Sequence, residues 1–389
     1  MVAPRCGISA IEAPASPSSS NQRLLWRRSR YVWAEGRFSS DWILEISSWE
    51  GIGYGSIGSK RRRISSHASV YAVSDLHTDY RENLQWIVQL STKLHQRDTL
   101  IVAGDVSDNL ETFKDTMRLL KERFHRVFFV PGNHDLWCRG KENKHLDSLG
   151  KLRELNAICE SLCIDTKPGK VCGVWIVPLL SWYHQTFDKE RDIVGYNIPP
   201  PEKRCTDYHA CKWPDELKTP DIALAAYFDD LNSCNQQCLT EIRHSTERVI
   251  TFSHFLPRPE LCPEKRMLFY PNLPKVIGSD FLERRLRSIH GSSGNSGALH
   301  VFGHTHFSWD ATVHGIRYLQ APLAYPRERR RRVYGGECWL PLCICDSEGT
   351  LLPRPMPCYW SDYYRLNKRD PDNVVLAPWV ADLYCLQRS

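Results

Sequence analysis

Five short polar motifs carry the side chains best suited to chemistry: Asp75-Leu76-His77, Gly104-Asp105-Val106-Ser107-Asp108, Gly132-Asn133-His134-Asp135, Ser253-His254 and Gly303-His304-Thr305-His306. Carboxylates, imidazoles and amide oxygens suit divalent first-row metals, and a carboxylate can bridge two ions. Each motif alone is a weak signal, because a lone His after an apolar run is usually a core or surface residue and an Asp after Gly is usually a turn residue or helix cap. The set is stronger. Burying that many carboxylates and imidazoles together without cations would be costly. The i, i+2 spacing of Asp75 and His77 predicts two side chains on one side of an extended segment, and His304 and His306 repeat it.

Every motif follows an apolar run. The pattern predicts a strand over 69–73, then a helix over 82–95 with Leu84, Ile87, Val88 and Leu94 on one face. A buried strand over 99–103 comes next. Leu110, Phe113, Met117, Leu120 and Phe124 then mark a second amphipathic helix before a strand over 126–130. This βαβαβ order implies a parallel sheet with right-handed crossovers, whose ligands sit beyond the carboxyl ends of the strands. The middle, from about Leu152 to Glu247, is expected to hold a third helix; further strands are predicted over 174–180, 249–252, 300–302 and 312–319, and another helix over 281–289. The Pro-rich stretch around 198–220, with Cys205, Tyr208, His209, Cys211, Lys212 and Trp213, reads as a lid or recognition insert, or as a surface insertion without a role.

The bulk composition bounds the function. Fifty-one basic residues against 45 acidic give a formal charge of +6, a mild excess that favours a phosphorylated substrate without indicating nucleic acid. Thirteen Trp suggest a few exposed aromatic contacts. The 15 Cys are scattered, with no paired CxxC knuckle, and read as reduced thiols; Cys343 and Cys345 lie two apart in an apolar run and are expected on one buried strand face. No run of about 18 apolar residues suggests a membrane span. Residues 1–68 form an N-terminal extension, read as disordered or as a transit peptide, so the expected location is cytoplasmic or plastid. Residues 69–389 form the main domain, with an insert around 183–220 and a C-terminal extension.

In their order, D-x-H, G-D-x-x-D, G-N-H-D, a lone His after a strand and G-H-x-H resemble the calcineurin-like metallophosphoesterase superfamily over about Tyr71 to Ala321. The stretch after Gly303 resembles uncharacterised plant members. The resemblance implies an α/β fold, a four-layer α/β/β/α sandwich of two mixed β-sheets flanked by helices, with metals at one end. It implies that Asp75, His77 and His306 bind one ion and Asn133, His254 and His304 the other, with Asp105 bridging. The two ions would be divalent or mixed-valence manganese, iron or zinc. Asp108 stands where purple acid phosphatases place a tyrosine ligand, and Asp135 and Asp108-Asn109 depart from the G-N-H-E and Arg-Gly of serine/threonine protein phosphatases.

The expected reaction is hydrolysis of a phosphate mono- or diester, on a small-molecule or macromolecular substrate, by a metal-bridging hydroxide. His134 is the candidate general acid and Asp75 its orienting partner. Asp108 and Asp135 are expected to support the metal-binding histidines or to cap helices. Arg139, Tyr183, His184 and His209 are candidates for touching substrate phosphate, and the run Arg327, Arg329, Arg330, Arg331 and Arg332 for an anionic partner or a solvated face. The rival readings are a metallohydrolase acting on a non-phosphate substrate and a scaffold that has lost its chemistry. The first is disfavoured by Asp-Leu-His where H-x-H would stand, the second because every ligand position is filled.

Overall fold

The computed structural model describes residues 68–139, 145–217, 222–291, 294, 297–331, 339–352 and 358–385. The expected N-terminal extension, apart from Ala68, lies outside them, as does Arg332.

Ten strands fall into two mixed sheets. The first has the order β10-β1-β2-β3, built from β1 (Val70–Val73), β2 (Thr99–Ala103), β3 (Arg126–Val130) and β10 (Leu342–Cys345). The second has the order β4-β5-β6-β7-β9-β8, from β4 (Gly169–Val171), β5 (Val174–Pro178), β6 (Arg248–Phe252), β7 (Leu299–Phe302), β8 (Trp309–Val313) and β9 (Ile316–Gln320). The inner pairs are parallel, while β10, β4 and β8 pair antiparallel at the sheet edges. Strands β1, β2 and β7 are buried along their whole length, which is why they read as continuous apolar runs rather than alternating ones.

The helices are α1 (Arg81–Gln89), α2 (Leu110–Arg123), α3 (Ser148–Ser161), α4 (Pro201–Arg204), α5 (Asp207–Ala210), α6 (Ile222–Leu231), α7 (Gln236–His244), α8 (Asp280–His290), α9 (Pro326–Arg329), α10 (Tyr359–Leu366) and α11 (Pro378–Cys385). None is long and apolar enough to cross a membrane among the described residues. Helix α2 starts on Asn109, whose side chain accepts from the Thr112 amide at 2.9 Å, so the cap is Asn109 and not Asp108.

Three elements differ from expectation. Helix α1 stops at Gln89, because Ser91 Oγ accepts from the amides of Lys93 and Leu94 at 3.2 Å and sets up a local turn; Leu94 is left exposed. The strand expected over 312–319 is a hairpin, β8 and β9, turned at His314-Gly315 with φ of 46° and 79°. Two successive left-handed residues make the tight turn that matches strand twist. The expected C-terminal extension supplies β10, which pairs with β1 and places Cys345 in the core with Cys343 half-buried. No described Trp is among the large exposed apolar side chains, and the twelve described cysteines that are assigned are all free thiols.

Candidate metal centre

The five motifs converge because the loops leaving the strands remain hydrogen-bonded to one another. The amides of Asp75, His77 and Thr78 donate to the carbonyls of Gly104, Asp105 and Val106 at 3.0, 2.9 and 2.8 Å, so the loop after β1 runs beside the loop after β2. The two sheets are also tied at this end: Ser74 N donates to Ala321 O, Leu323 N to Ser74 O and Ala324 N to Asp75 O, at 2.9–3.0 Å. Asp135 locks the second and third motifs together. Its carboxylate accepts from the amides of Gly132, Asp105, Val106 and Ser107 at 2.8–3.0 Å. The expectation that Asp135 supports a histidine or caps a helix is corrected: it gathers the backbone of two loops.

The expected i, i+2 geometry of extended chain is corrected. Asp75, His77, Asp105, His304 and His306 all have left-handed φ, at 54°, 43°, 56°, 76° and 60°. Such backbone is costly outside glycine and persists where surrounding structure enforces it, typically at functional sites. The backbone at these positions is therefore not extended, and the pairs Asp75/His77 and His304/His306 still reach one centre. The glycines beside them make room: a Cβ on Gly132 would stand 2.2 Å from Asp105 Oδ1, and one on Gly104, at φ +81°, 2.4 Å from His254 Nδ1.

Two groups of donors result, and they share one carboxylate. Asp75, His77, Asp105 and His306 each bring one ligand atom within 4.8 Å of the others, and so do Asp105, His254 and His304. Asp105 Oδ2 lies 3.7 Å from His77 Nε2, and Oδ1 lies 3.4 Å from His254 Nε2, so its two oxygens face the two groups. His306 Nε2 is 3.6 Å from Asp75 Oδ1 and 2.9 Å from His77 Nε2. Asn133 Oδ1 joins the second group, 3.1 Å from His254 Nε2 and 3.0 Å from His304 Nδ1.

The hydrogen bonds on the far sides of these rings decide what the near sides offer. His254 Nδ1 is 3.0 Å from Ala103 O and His304 Nε2 is 3.0 Å from Val276 O; a carbonyl only accepts, so those nitrogens carry the protons. Asn133 Nδ2 donates to Asp207 Oδ1 at 2.8 Å, which turns the amide oxygen inward. Three lone pairs, from Asn133 Oδ1, His254 Nε2 and His304 Nδ1, thus face one another with no proton among them. That is unfavourable for neutral groups and is what a cation requires. In the first group Glu328 accepts from His306 Nδ1 at 2.6 Å and again leaves Nε2 as the inward lone pair. Burial holds His77 and His254 well below the usual histidine range, and His304 down to about 3. Burial pushes Asp105 well above the ordinary carboxylate range, helped by Asp135 and Asp75, and raises Asp75 too. Neutral imidazoles and desolvated carboxylates are matched by positive charge between them.

The other expected residues divide. His134 lines a cleft that Asp105, Asn133, His304 and His306 also line. Its ring lies against Trp137, with centroids 3.5 Å apart, and its Nε2 is 3.3 Å from the Tyr325 hydroxyl. Asp75 is not its partner. The Asp75 carboxylate turns to the His304 amide at 2.8 Å and the Ser74 hydroxyl at 2.5 Å, and the carboxylate nearest His134 Nε2 is Asp105, at 3.9 Å. Arg139 is ion-paired to Asp108 and lies over Trp137. Tyr183 is buried in an aromatic cluster with Trp182 and Phe255. His184 is fixed by Thr186 and the Asp280 amide, and His209 is exposed. Of the basic run, Arg329 is buried and bonded to Asn83 and the Leu323 carbonyl, while Arg327, Arg330 and Arg331 are exposed.

Three residues were missed. Asp207, at the start of α5, accepts from both Asn133 Nδ2 and Trp137 Nε1, the latter at 2.6 Å, and so fixes a metal-facing amide and the ring behind His134 at once. Cys205, Thr206 and Asp207 all line the cleft, which puts the insert on its wall. Tyr325 and Glu328 lie in the segment around α9. The only sequence cue for Glu328 is one acidic residue inside a basic run; Asp207 and Tyr325 carry no local pattern.

Comparison with known proteins agrees with this geometry. The family model for calcineurin-like phosphoesterases matches residues 68–308. The chain belongs to the calcineurin-like phosphoesterase family. It is 25% identical over 329 residues to the acyl-carrier-protein phosphodiesterase PptH of Mycobacterium tuberculosis, covering 79% of this chain and 90% of that protein. It is 22% identical over 272 residues to an uncharacterised protein of Acanthamoeba polyphaga mimivirus, covering 66% and 91% of the two chains. The crystal structure of the Mycobacterium tuberculosis phosphopantetheinyl hydrolase superposes with a TM-score of 0.54 at 22% identity, over 70% of this chain and 94% of that one. The shared fold is the pair of mixed sheets flanked by helices. As a calcineurin-like phosphoesterase the chain is a dinuclear-metal phosphoric ester hydrolase, dependent on divalent metal ions and acting on a phosphorylated substrate.

Proposed function

We propose that this phosphoesterase is a phosphodiesterase that removes a phosphopantetheinyl group from an acyl carrier protein. The observation that carries the reading is the similarity to a protein of that activity, which runs over 90% of the relative's length and past the segment that the family model matches. The cleft supports it: beside the charged centre stand the side chains of Cys205, Thr206 and Leu273, a weakly polar wall suited to a neutral chain next to the phosphate.

Asp75, His77 and His306 would hold one metal, Asn133, His254 and His304 the other, and Asp105 both; manganese, iron and zinc all suit this donor set. Bound there, the pair supplies neutralisation of phosphoryl charge and activation of water. The protein's own groups do the rest. His134, which burial holds well below the usual histidine range in the free protein, takes up a proton beside the anionic diester and gives it to the alcohol oxygen that leaves the phosphorus as water adds opposite it. Trp137 supports the imidazole, and Asp207 holds Trp137 and Asn133 in register. Residues 69–389 act as one catalytic domain, with the insert as a wall of the binding cleft.

The test is mass spectrometry of a phosphopantetheinylated acyl carrier protein after incubation with the manganese-loaded enzyme. Loss of the phosphopantetheinyl mass, abolished by Asp105→Asn, is the expected result. A carrier left intact by an enzyme that hydrolyses bis(p-nitrophenyl) phosphate would rule out the carrier as substrate.

A further inference from the structure

Tyr325 follows the last metal-facing motif by nineteen residues and belongs to none of the five motifs, yet it lines the same cleft as Asp105, His134, His304 and His306. Its hydroxyl is 3.3 Å from His134 Nε2. We propose that Tyr325 is a catalytic residue whose hydroxyl donates a hydrogen bond to a non-bridging oxygen of the scissile phosphate, beside the leaving oxygen that His134 protonates.

The residue is built to hold that hydroxyl still. Its ring packs on His77 with centroids 4.4 Å apart, on His306 at 4.8 Å and on Tyr80 at 5.2 Å. Behind it the backbone is pinned. Ala324, at a left-handed φ of 61°, donates its amide to Asp75 O at 2.9 Å, and the Tyr325 amide donates to Glu328 Oε2 at 3.3 Å. The same Glu328 oxygen accepts from His306 Nδ1, so the tether of the tyrosine and the tether of a metal-facing histidine are one carboxylate. A donor fixed before substrate arrives costs no reorganisation as negative charge gathers on the phosphoryl oxygens. The hydroxyl and His134 Nε2 are neighbours on one cleft wall, so a phosphate bound beside them can set one oxygen within hydrogen-bond reach of each.

The proposal rests on phosphoester hydrolysis at this centre and not on the carrier-protein substrate, so the test uses a small diester and an anion. Tyr325→Phe keeps the ring and its packing. With bis(p-nitrophenyl) phosphate the variant is expected to lose about 10²-fold in kcat with KM little changed. Calorimetric titration with orthovanadate is expected to show about 10-fold weaker binding, while metal content per chain and melting temperature stay at the wild-type values. Unchanged kcat and unchanged vanadate affinity would overturn the proposal, as would a loss of activity that merely follows a loss of metal. The vanadate titration decides even if the small diester is a poor substrate, and a failure of carrier cleavage leaves both readouts intact.

Discussion

Glu328 illustrates how a single side chain sets the electronic character of its neighbour. By accepting from His306 Nδ1 it fixes the tautomer that leaves Nε2 free to face the centre. Glu328→Ala should therefore weaken metal affinity by about 10–100-fold, read by competition with a chelating dye, with little change in secondary structure; affinity equal to wild type would show that His306 needs no such support. The residues facing the centre were legible in the sequence because each stands in a short polar motif directly after an apolar strand. Glu328, Asp207 and Tyr325 were not legible, since a carboxylate in a basic run, an acid in an insert and a tyrosine before a proline have no spacing that reveals what they touch. Their roles come from the fold, which brings Asp207 to Asn133 across 74 positions and Tyr325 to His134 across 191.

The strand-end loops are where local sequence and final geometry part company. The strands over 99–103 and 126–130 were readable to the residue, because buried parallel strands are unbroken apolar runs between polar ends. The left-handed residues Asp75, His77, Asp105, His304 and His306 were not, since nothing in an Asp or His side chain demands positive φ; at Asp75 and His77 the neighbouring loop holds the backbone through the Gly104 and Asp105 carbonyls. Gly104 is the position where this arrangement has no tolerance. Gly104→Ala would combine a strained φ with a Cβ at 2.4 Å from His254 Nδ1 and 2.8 Å from the Gly132 amide nitrogen. A loss of about 2–4 kcal/mol in denaturant unfolding, together with reduced metal content, is expected. A variant as stable and as metal-rich as the parent would mean that the loops yield more freely than their hydrogen bonds imply. The hairpin at His314-Gly315 was hidden for a related reason: its turn is two residues long and sits inside what reads as one apolar stretch.

Across the whole molecule, the two sheets are tied at the catalytic end by backbone bonds between the segments that leave β1 and β9, and the buried polar chemistry extends behind it. Thr251 Oγ1, on β6, lies 2.9 Å from both His290 Nε2, on α8, and His300 Nδ1, on β7, the two strands being those that lead to His254 and His304. Burial lowers His290 to about 4, so the folded protein keeps it neutral while the unfolded chain takes up a proton near 6.5. The unfolded state then binds more protons between those values; the stability is fully present above about pH 6.5 and is lost as pH falls through 4. His290 accounts for about 3 kcal/mol of that loss, so His290→Asn should show a shallower fall in melting temperature from pH 7 to pH 4 than wild type; parallel curves would contradict the burial. The parallel run of β1, β2 and β3 was legible from the βαβαβ pattern, whereas the return of β10 to the edge of β1 was not, because a strand that pairs across more than 260 residues leaves no local trace. The central claim is that two cations share Asp105. It is tested most directly by anomalous diffraction from crystals of the manganese-loaded protein, where two peaks about 3.5–4 Å apart, one on each side of the Asp105 carboxylate, are predicted. A single peak, or peaks lying away from Asp105, would contradict the account.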